Sequence, residues 1–155
     1  MEDVDWLKSM LSVEREVRPP SSTKREQKYL DGNCVKLYHD GKIVAYAEIH
    51  KVGSHMEIST VVVDPEYRNQ GYGKKLMQQA VEKIEHNKIM CCTKNPAMAK
   101  VLHDLDFKIT KWPGFWTNFV LTINTFRRLI SMIIRFDFKR IWLQGKNILN
   151  YDQFE

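Results

Sequence analysis

Cysteine is scarce in this chain of 155 residues, and the three that occur, Cys34, Cys91 and Cys92, are badly placed for pairing. The count is odd and two are adjacent, which is poor geometry for a bridge between them. There is no CxxC pair, so a zinc site has little support and no metal is expected. Reduced thiols in a cytoplasmic protein follow from this usage. No leader is expected either: Met1-Glu2-Asp3-Val4-Asp5 is acidic, with no apolar run behind it, unlike a signal peptide. The longest apolar run, Leu129 to Ile134, is interrupted by Ser131 and falls far short of a membrane span. No internal repeat and no low-complexity stretch occurs. What is present is ordinary for a folded soluble domain: 43% hydrophobic and 28% charged residues argue against disorder. The net charge of +5 suits an anionic cofactor, nucleic acid or an anionic membrane surface, and alone does not choose among them.

Periodicity divides the chain into alternating helices and strands. Asp5–Val17 predicts a helix with Trp6, Met10, Leu11 and Val13 on one face, broken by Arg18-Pro19-Pro20-Ser21-Ser22. Thr23–Leu30 predicts a second short helix. Cys34–Tyr38 and Ile43–Ile49 read as strands joined at His39-Asp40-Gly41-Lys42, where Asp-Gly is a strong hairpin signal. A further turn at Val52-Gly53-Ser54 leads into Glu57–Val63, whose β-branched end suggests burial on both faces. Gly73–His86 follows helical spacing through Leu76, Met77, Ala80, Val81 and Ile84. Lys88–Cys92 reads as a strand, Pro96–Leu105 as a helix capped by Asn95, and Phe115–Ile123 as a strand. The order predicts an α/β fold with a mixed sheet.

The informative unit runs from Val61-Val62-Val63-Asp64-Pro65 through Arg68-Asn69-Gln70-Gly71-Tyr72-Gly73 to Lys74-Lys75-Leu76. A buried strand enters a glycine turn that opens a helix. The first N–H groups of a helix have no partner within it, and glycines let successive amides turn towards one point. The helix dipole adds to the attraction for an anion, so the geometry is a phosphate cradle with Arg68 and Lys74 at its rim. Lys75 excludes a Walker loop, and Leu76 excludes the dinucleotide fingerprint.

Arg68-x-x-Gly71-x-Gly73 after Val63-Asp64-Pro65-Glu66-Tyr67 resembles motif A of the GNAT acetyltransferases. Asn95 to Phe107 is similar to that family's downstream motif, with Leu102 at the place of its tyrosine and Asp106 at the place of its glycine. The resemblance runs from about Asp31 to Phe119. It implies a GNAT-type mixed, mainly antiparallel central sheet flanked by helices, and acetyl-coenzyme A as cofactor. It places the pyrophosphate on Arg68, Asn69, Gln70, Gly71, Tyr72, Gly73 and Lys74. It places the pantetheine arm along Val61 and Val63, with Val62 between them, and adds Asn95 to the cofactor set. Arg18-Pro19-Pro20-Ser21-Ser22 and Arg25-Glu26-Gln27 are loosely similar to the acetyltransferase domain of N-acetylglutamate synthases.

Acetyl transfer to an amine needs a base for the amine, polarisation of the thioester carbonyl, and at most an acid for the leaving thiolate. Glu57 stands eleven residues ahead of Arg68, where histone-type members of the family place a base glutamate. Strict alternation would put Glu57, Ser59, Val61 and Val63 on one face. His55 is an alternative base. The carbonyl donor is expected to be a backbone N–H of Val62 or Val63. His103 ranks first as the acid, ahead of Tyr72 and Cys91. A thiolate leaves readily enough near neutrality (thiol pKa about 8.5) for the acid to be dispensable. An acetyl-cysteine on Cys91 or Cys92 is disfavoured, since cysteines in an apolar strand are usually inert. The acceptor is an amine on a small molecule, peptide or protein. Leu102 keeps a second hypothesis open, a non-catalytic acyl-coenzyme A-binding regulatory module.

From Phe126, apolar residues at 126, 129, 130, 133, 134, 138, 141 and 142 trace an amphipathic helix whose other sides carry Arg127, Arg128, Arg135, Lys139 and Arg140. The expected organisation is an acetyltransferase domain over 1–123 and a basic amphipathic extension over 124–155. That extension has three readings: packing on its own domain or completing its sheet, a homodimer interface, or contact with a membrane surface or anionic partner. There is no strong nucleic-acid signal.

Overall fold

The computed structural model of the chain describes residues 2–85, 88–110, 122, 123, 130, 142 and 152–154. Helices α1 (Asp3–Val13) and α2 (Thr23–Leu30) precede strands β1 (Cys34–His39), β2 (Lys42–Val52) and β3 (His55–Val63). A single 3-10 turn at Pro65–Tyr67 leads to α3 (Tyr72–Lys83), β4 (Lys88–Thr93), α4 (Pro96–Asp104), β5 (Ile109–Thr110) and β6 (Asp152–Phe154).

Among the described residues the strands form one sheet in the order β1-β2-β3-β4-β6-β5. Every neighbouring pair is antiparallel except β3 with β4. The β1–β2 hairpin turns through Asp40 and Gly41 at φ 48° and 74°, the doubly left-handed turn that Asp-Gly favours. The expected α/β fold with a mainly antiparallel sheet is the one observed.

Two cores lie on the two faces of this sheet. One face buries Ala45, Ala47, Ile49 and Ile58 beneath α3 and α4 through Leu76, Met77, Ala80 and Leu102. The other buries Tyr46 and Val62 beneath α1 through Val4, Trp6, Leu7 and Leu11. Leu7 and Leu11 are fully covered, each worth roughly 1.5–3 kcal/mol of transfer free energy. Val13, expected on that apolar face, is 63% exposed at the helix end.

The sheet differs from the expected one at its far edge. Residues 152–154 insert between β4 and β5, with Phe154 opposite Cys91 and Ile109 and fully buried. The sheet therefore draws on chain well beyond the boundary expected at 123. Of the strand expected at Phe115–Ile123, residues 122 and 123 are helical, and the remainder lies outside the described residues. In the expected amphipathic helix from Phe126, Ile130 and Trp142 are helical and exposed, and its other residues lie outside the described set. No helix among the described residues is long and apolar enough to cross a membrane.

Candidate active site

The site begins where two strands part. Strands β3 and β4 pair only through His55, Met56 and Glu57 against Lys88, Ile89 and Met90. Beyond Glu57, β4 turns its pairing to β6, and the edge of β3 from Ile58 to Val63 faces a gap. The direction of its backbone groups follows from one contact: Asp64 N–H donates to the Val44 carbonyl of β2 at 2.9 Å. Alternation then turns Val62 N–H towards Tyr46 in the same ladder, and Val61 and Val63 towards the gap. This removes Val62 as the amide donor expected beside Val63. The side chain of Val62 is also buried, on the α1 side.

A bulge at Thr60 and Val61 sets the faces. Ser59 pairs with Glu48 but Val62 pairs with Tyr46, so β3 carries one residue more than β2 over this stretch. Thr60 is left-handed at φ 49°, a conformation that costs a residue with a side chain about 1–3 kcal/mol. The bulge overturns the expectation of strict alternation. Glu57 and Ser59 share the α1–α2 face with Val62, whereas Val61 and Val63 pack with the α3 core on the other.

At the end of the gap stands the glycine loop. Asn69 and Gly71 are both left-handed, at φ 60° and 85°, which brings the chain round sharply into α3. The first intrahelical bond runs from Lys75 N–H to the Gly71 carbonyl at 3.0 Å. The amides of Gly71, Tyr72, Gly73 and Lys74 therefore precede the helix's own bonding ladder. Gly73 is helical, and an added Cβ there would meet only Val63 Cγ2, at an ordinary 3.9 Å. Neither backbone conformation nor packing demands glycine at 73. A ligand pressed against these amides would demand it, and an anion such as a phosphate has the charge to suit them.

Side chains brace the loop from three directions. Asp64 accepts from Trp6 Nε1 at 2.9 Å and from Glu66 N–H at 3.1 Å, tying α1 to the loop's start. Arg68 is engaged with Glu14 at the end of α1 and donates through Nε to the Val63 carbonyl at 3.2 Å. Lys74 pairs with Asp104 of α4 at 3.2 Å. Both expected rim cations thus have carboxylate partners in this state. Gln70 donates to the Glu66 carbonyl at 2.8 Å. The hydroxyl of Tyr72 meets His39 Nδ1 at 2.7 Å, within a trio of rings that includes Tyr67. Asn95 caps α4, its side chain accepting from Ala97 and Met98 N–H at 2.9 and 3.4 Å.

On the α1–α2 face Glu57 lies at the vertex of the gap, its side chain only 14% exposed. Across the strand His50 Nε2 approaches its Oε2 at 2.9 Å. His50 Nδ1 lies 3.3 Å from Ser59 Oγ. Glu57 raises the pKa of His50 through this hydrogen bond, against the opposing effect of burial. Beside this pair is a buried charge network. Arg18 donates to both oxygens of Glu26, at 2.8 and 2.7 Å, and to Glu48 Oε1 at 2.7 Å. Glu48 also accepts from Tyr46 at 3.2 Å and from Thr60 Oγ1 at 3.0 Å, pinning the strained bulge residue. Burial alone would lower the pKa of Arg18, but its bonds to Glu26 and Glu48 outweigh that and raise it. Sequence reasoning missed His50, Glu48, Arg18 and Thr60. A hairpin turning at Gly53-Ser54 places residue 50 opposite 57, and that symmetry was the available signal.

The expected acid and the expected base do not meet. His103 is exposed on α4, edge-on to Phe154 at 5.3 Å between ring centroids, on the α3–α4 side of the sheet. Of the alternatives, Tyr72 is engaged with His39, and Cys91 is buried with its thiol pKa raised. Burial, with Glu57 nearby, pushes the Cys92 thiol up to about 12, so it stays protonated and a poor nucleophile near neutrality. His55, the alternative base, is buried at 2% exposure beside Ser54. No group of three or more metal-ligating side chains occurs among the described residues.

A mixed sheet that parts beside a helix N-terminus defines the class, and comparison with known proteins gives the family. The chain matches the acetyltransferase (GNAT) family over residues 4–107, more than half its length, and belongs to it. Acetyl-CoA is the cosubstrate of that family. A UPF0039 protein of Schizosaccharomyces pombe is 52% identical over 52 residues, which cover 33% of this chain and 35% of the yeast protein, so the match spans about a third of that relative's length. The fold is similar to that of Rv2747 from Mycobacterium tuberculosis, solved in complex with CoA and a second ligand, at a TM-score of 0.66, 16% identity and coverage of 98% and 92% of the two chains. It is also similar to N-acetylglutamate synthase from Neisseria gonorrhoeae, complexed with coenzyme A and N-acetyl-glutamate, at a TM-score of 0.64 and 16% identity, over 83% of this chain and 31% of that one. At these identities the two structures speak for the fold.

Proposed function

We propose that this chain is an N-acetyltransferase that moves the acetyl group of acetyl-CoA to a primary amine by direct attack, with both substrates bound together. The observation that carries this is the gap: it opens immediately after Glu57 and ends at the unladdered amides of α3. The amides of Gly71 to Lys74 would hold the pyrophosphate, and the backbone of Val61 and Val63 the pantetheine arm. Acetyl-CoA supplies an activated acyl carbon whose carbonyl needs a hydrogen-bond donor. The N–H groups of Val61 and Val63 face the gap where such a donor is wanted. Glu57 is the group on which we place removal of the amine's proton. A shielded carboxylate beside a hydrogen-bonded imidazole suits that task.

The acceptor meets the enzyme on the α1–α2 face. Arg18 is engaged with two carboxylates there, which leaves it unsuited to hold an acceptor's carboxylate. The amine itself is therefore the group we assign to recognition. Isothermal calorimetry with acetyl-CoA tests the first half of this proposal, and absence of binding at millimolar cofactor would sink it. Release of the CoA thiol across a panel of amines tests the second half. Binding without turnover of any amine would leave a coenzyme-binding module instead.

A further inference from the structure

The pair formed by Glu57 and His50 lies outside both apolar cores. Both side chains project from neighbouring strands onto the face away from the α3 core, and neither belongs to an apolar cluster. Their exposures differ sharply: Glu57 is 14% exposed and His50 45%. A shielded carboxylate at the vertex of the gap is thus joined, at 2.9 Å, to an imidazole whose other edge reaches solvent. Glu57 itself has less access to solvent than its partner. The groups facing this pair are Ser59 of β3 and Glu48 of β2, with Cys92 and Cys91 of β4 near Glu57. Burial keeps both thiols protonated near neutrality, so neither moves charge there.

We infer that His50 is the proton outlet of the reaction, working through Glu57. This rests on the acetyl-transfer proposal above. The overall balance releases one proton: of the three on the acceptor's ammonium, one stays on the amide, one goes to the CoA thiolate and one leaves. The departing proton enters the Glu57–His50 pair, which passes from carboxylate and neutral imidazole to carboxylate and imidazolium. Glu57 takes that proton from the ammonium and passes it to Nε2 at 2.9 Å, which is bare in the tautomer that carries its hydrogen on Nδ1, so the imidazolium sheds its proton from Nδ1. The hydroxyl of Ser59 lies 3.3 Å from Nδ1 on that side. The imidazolium then returns its proton to water across the exposed edge, and its charge is stabilised by Glu57 while it lasts.

The direction of the pH dependence follows. The outlet works only while the imidazole is neutral, and Glu57 raises the pKa of His50. The rate in the wild type should fall as pH drops through that raised value. With His50→Gln the remaining base is a carboxylate, so the acid limb of the profile should move to lower pH. The test is the pH profile of CoA thiol release from acetyl-CoA, with spermidine, glutamate and alaninamide each offered as the amine, in the wild type, His50→Gln, His50→Ala and Glu57→Gln. We expect His50→Ala to lose about a hundredfold in kcat, to keep its calorimetric affinity for acetyl-CoA, and to recover part of its rate with added imidazole. Glu57→Gln should not recover. A wild-type kcat and unmoved profile in both His50 variants would overturn the outlet alone. So would a loss in His50→Ala that imidazole does not repair, with the profile of His50→Gln unmoved. A wild type that turns over none of the three amines would overturn the outlet together with the acetyl-transfer proposal for those acceptors.

Discussion

The edge of β3 and its face are built by different means. The edge that borders the gap is backbone: Val61, Val63 and the amides from Gly71 to Lys74 come from one continuous stretch of chain. The face that carries Glu57 is side chain, assembled from the α1–α2 connection, α2, β2 and β3. A backbone site is insensitive to most substitutions and fails only where a new Cβ intrudes. A side-chain site fails when any one member is removed, because the others were desolvated on the expectation of its presence. The two halves of the candidate site should therefore break in different ways.

The largest break is expected in the charge network. Removing Arg18 leaves Glu26, which is fully buried, and Glu48, which is nearly so, without their shared cation. Arg18→Met should cost about 3–5 kcal/mol in urea unfolding, since loss of one partner from a buried ion pair leaves uncompensated charge. A loss below about 1 kcal/mol, the range of exposed pairs, would mean that water reaches these carboxylates and that the face is less tightly built than the contacts imply.

Chemistry comes next. Glu57→Gln keeps shape and most hydrogen bonding but cannot hold a proton, so kcat should drop about 10²- to 10⁴-fold with the affinity for acetyl-CoA unchanged in calorimetry. If the affinity fell as well, edge and face would not be separable. The complementary variant is Gly73→Val. An added Cβ there would lie beside Val63, 3.9 Å from its Cγ2. We expect acetyl-CoA to bind about tenfold more weakly, a change of about 1.4 kcal/mol, with the unfolding midpoint nearly unmoved. Unaltered binding would remove the ligand-based reason for glycine at 73.

The same division decides what the sequence could reveal. The geometry of the glycine loop was legible because its parts are contiguous: a β-branched strand, Asn69 and Gly71 for the left-handed turn, and the amphipathic α3. The elements through α4 were legible for the same reason, to within a few residues at their ends. The bulge at Thr60 was not, because Ser59-Thr60-Val61 carries no glycine to mark it, and it turned the expected face over between Ser59 and Val61. The Arg18–Glu26–Glu48 network joins residues up to thirty positions apart and has no local pattern. Strand β6 is three residues long and lies between strands that precede it by more than forty positions. Only the burial of Phe154 distinguishes it, and burial is a property of the fold.

The smallest effect separates two roles for Asn95. It was expected among the cofactor contacts, and the structure uses its side-chain oxygen to cap α4 through Ala97 and Met98 N–H. Asn95→Ala removes the cap and should cost about 1 kcal/mol. That loss alone does not tell a cap from a cofactor contact, because a frayed α4 would disturb Lys74 through Asp104. Asn95→Asp does tell them apart. Aspartate accepts the same two N–H bonds and places negative charge at a helix N-terminus, where it is favoured, so stability should be kept. It lacks the amide's own donor, however. Retained stability with retained acetyl-CoA affinity would make Asn95 a cap alone. Retained stability with weakened binding would place its NH₂ on the cofactor and extend the site from the backbone edge to a side chain on α4.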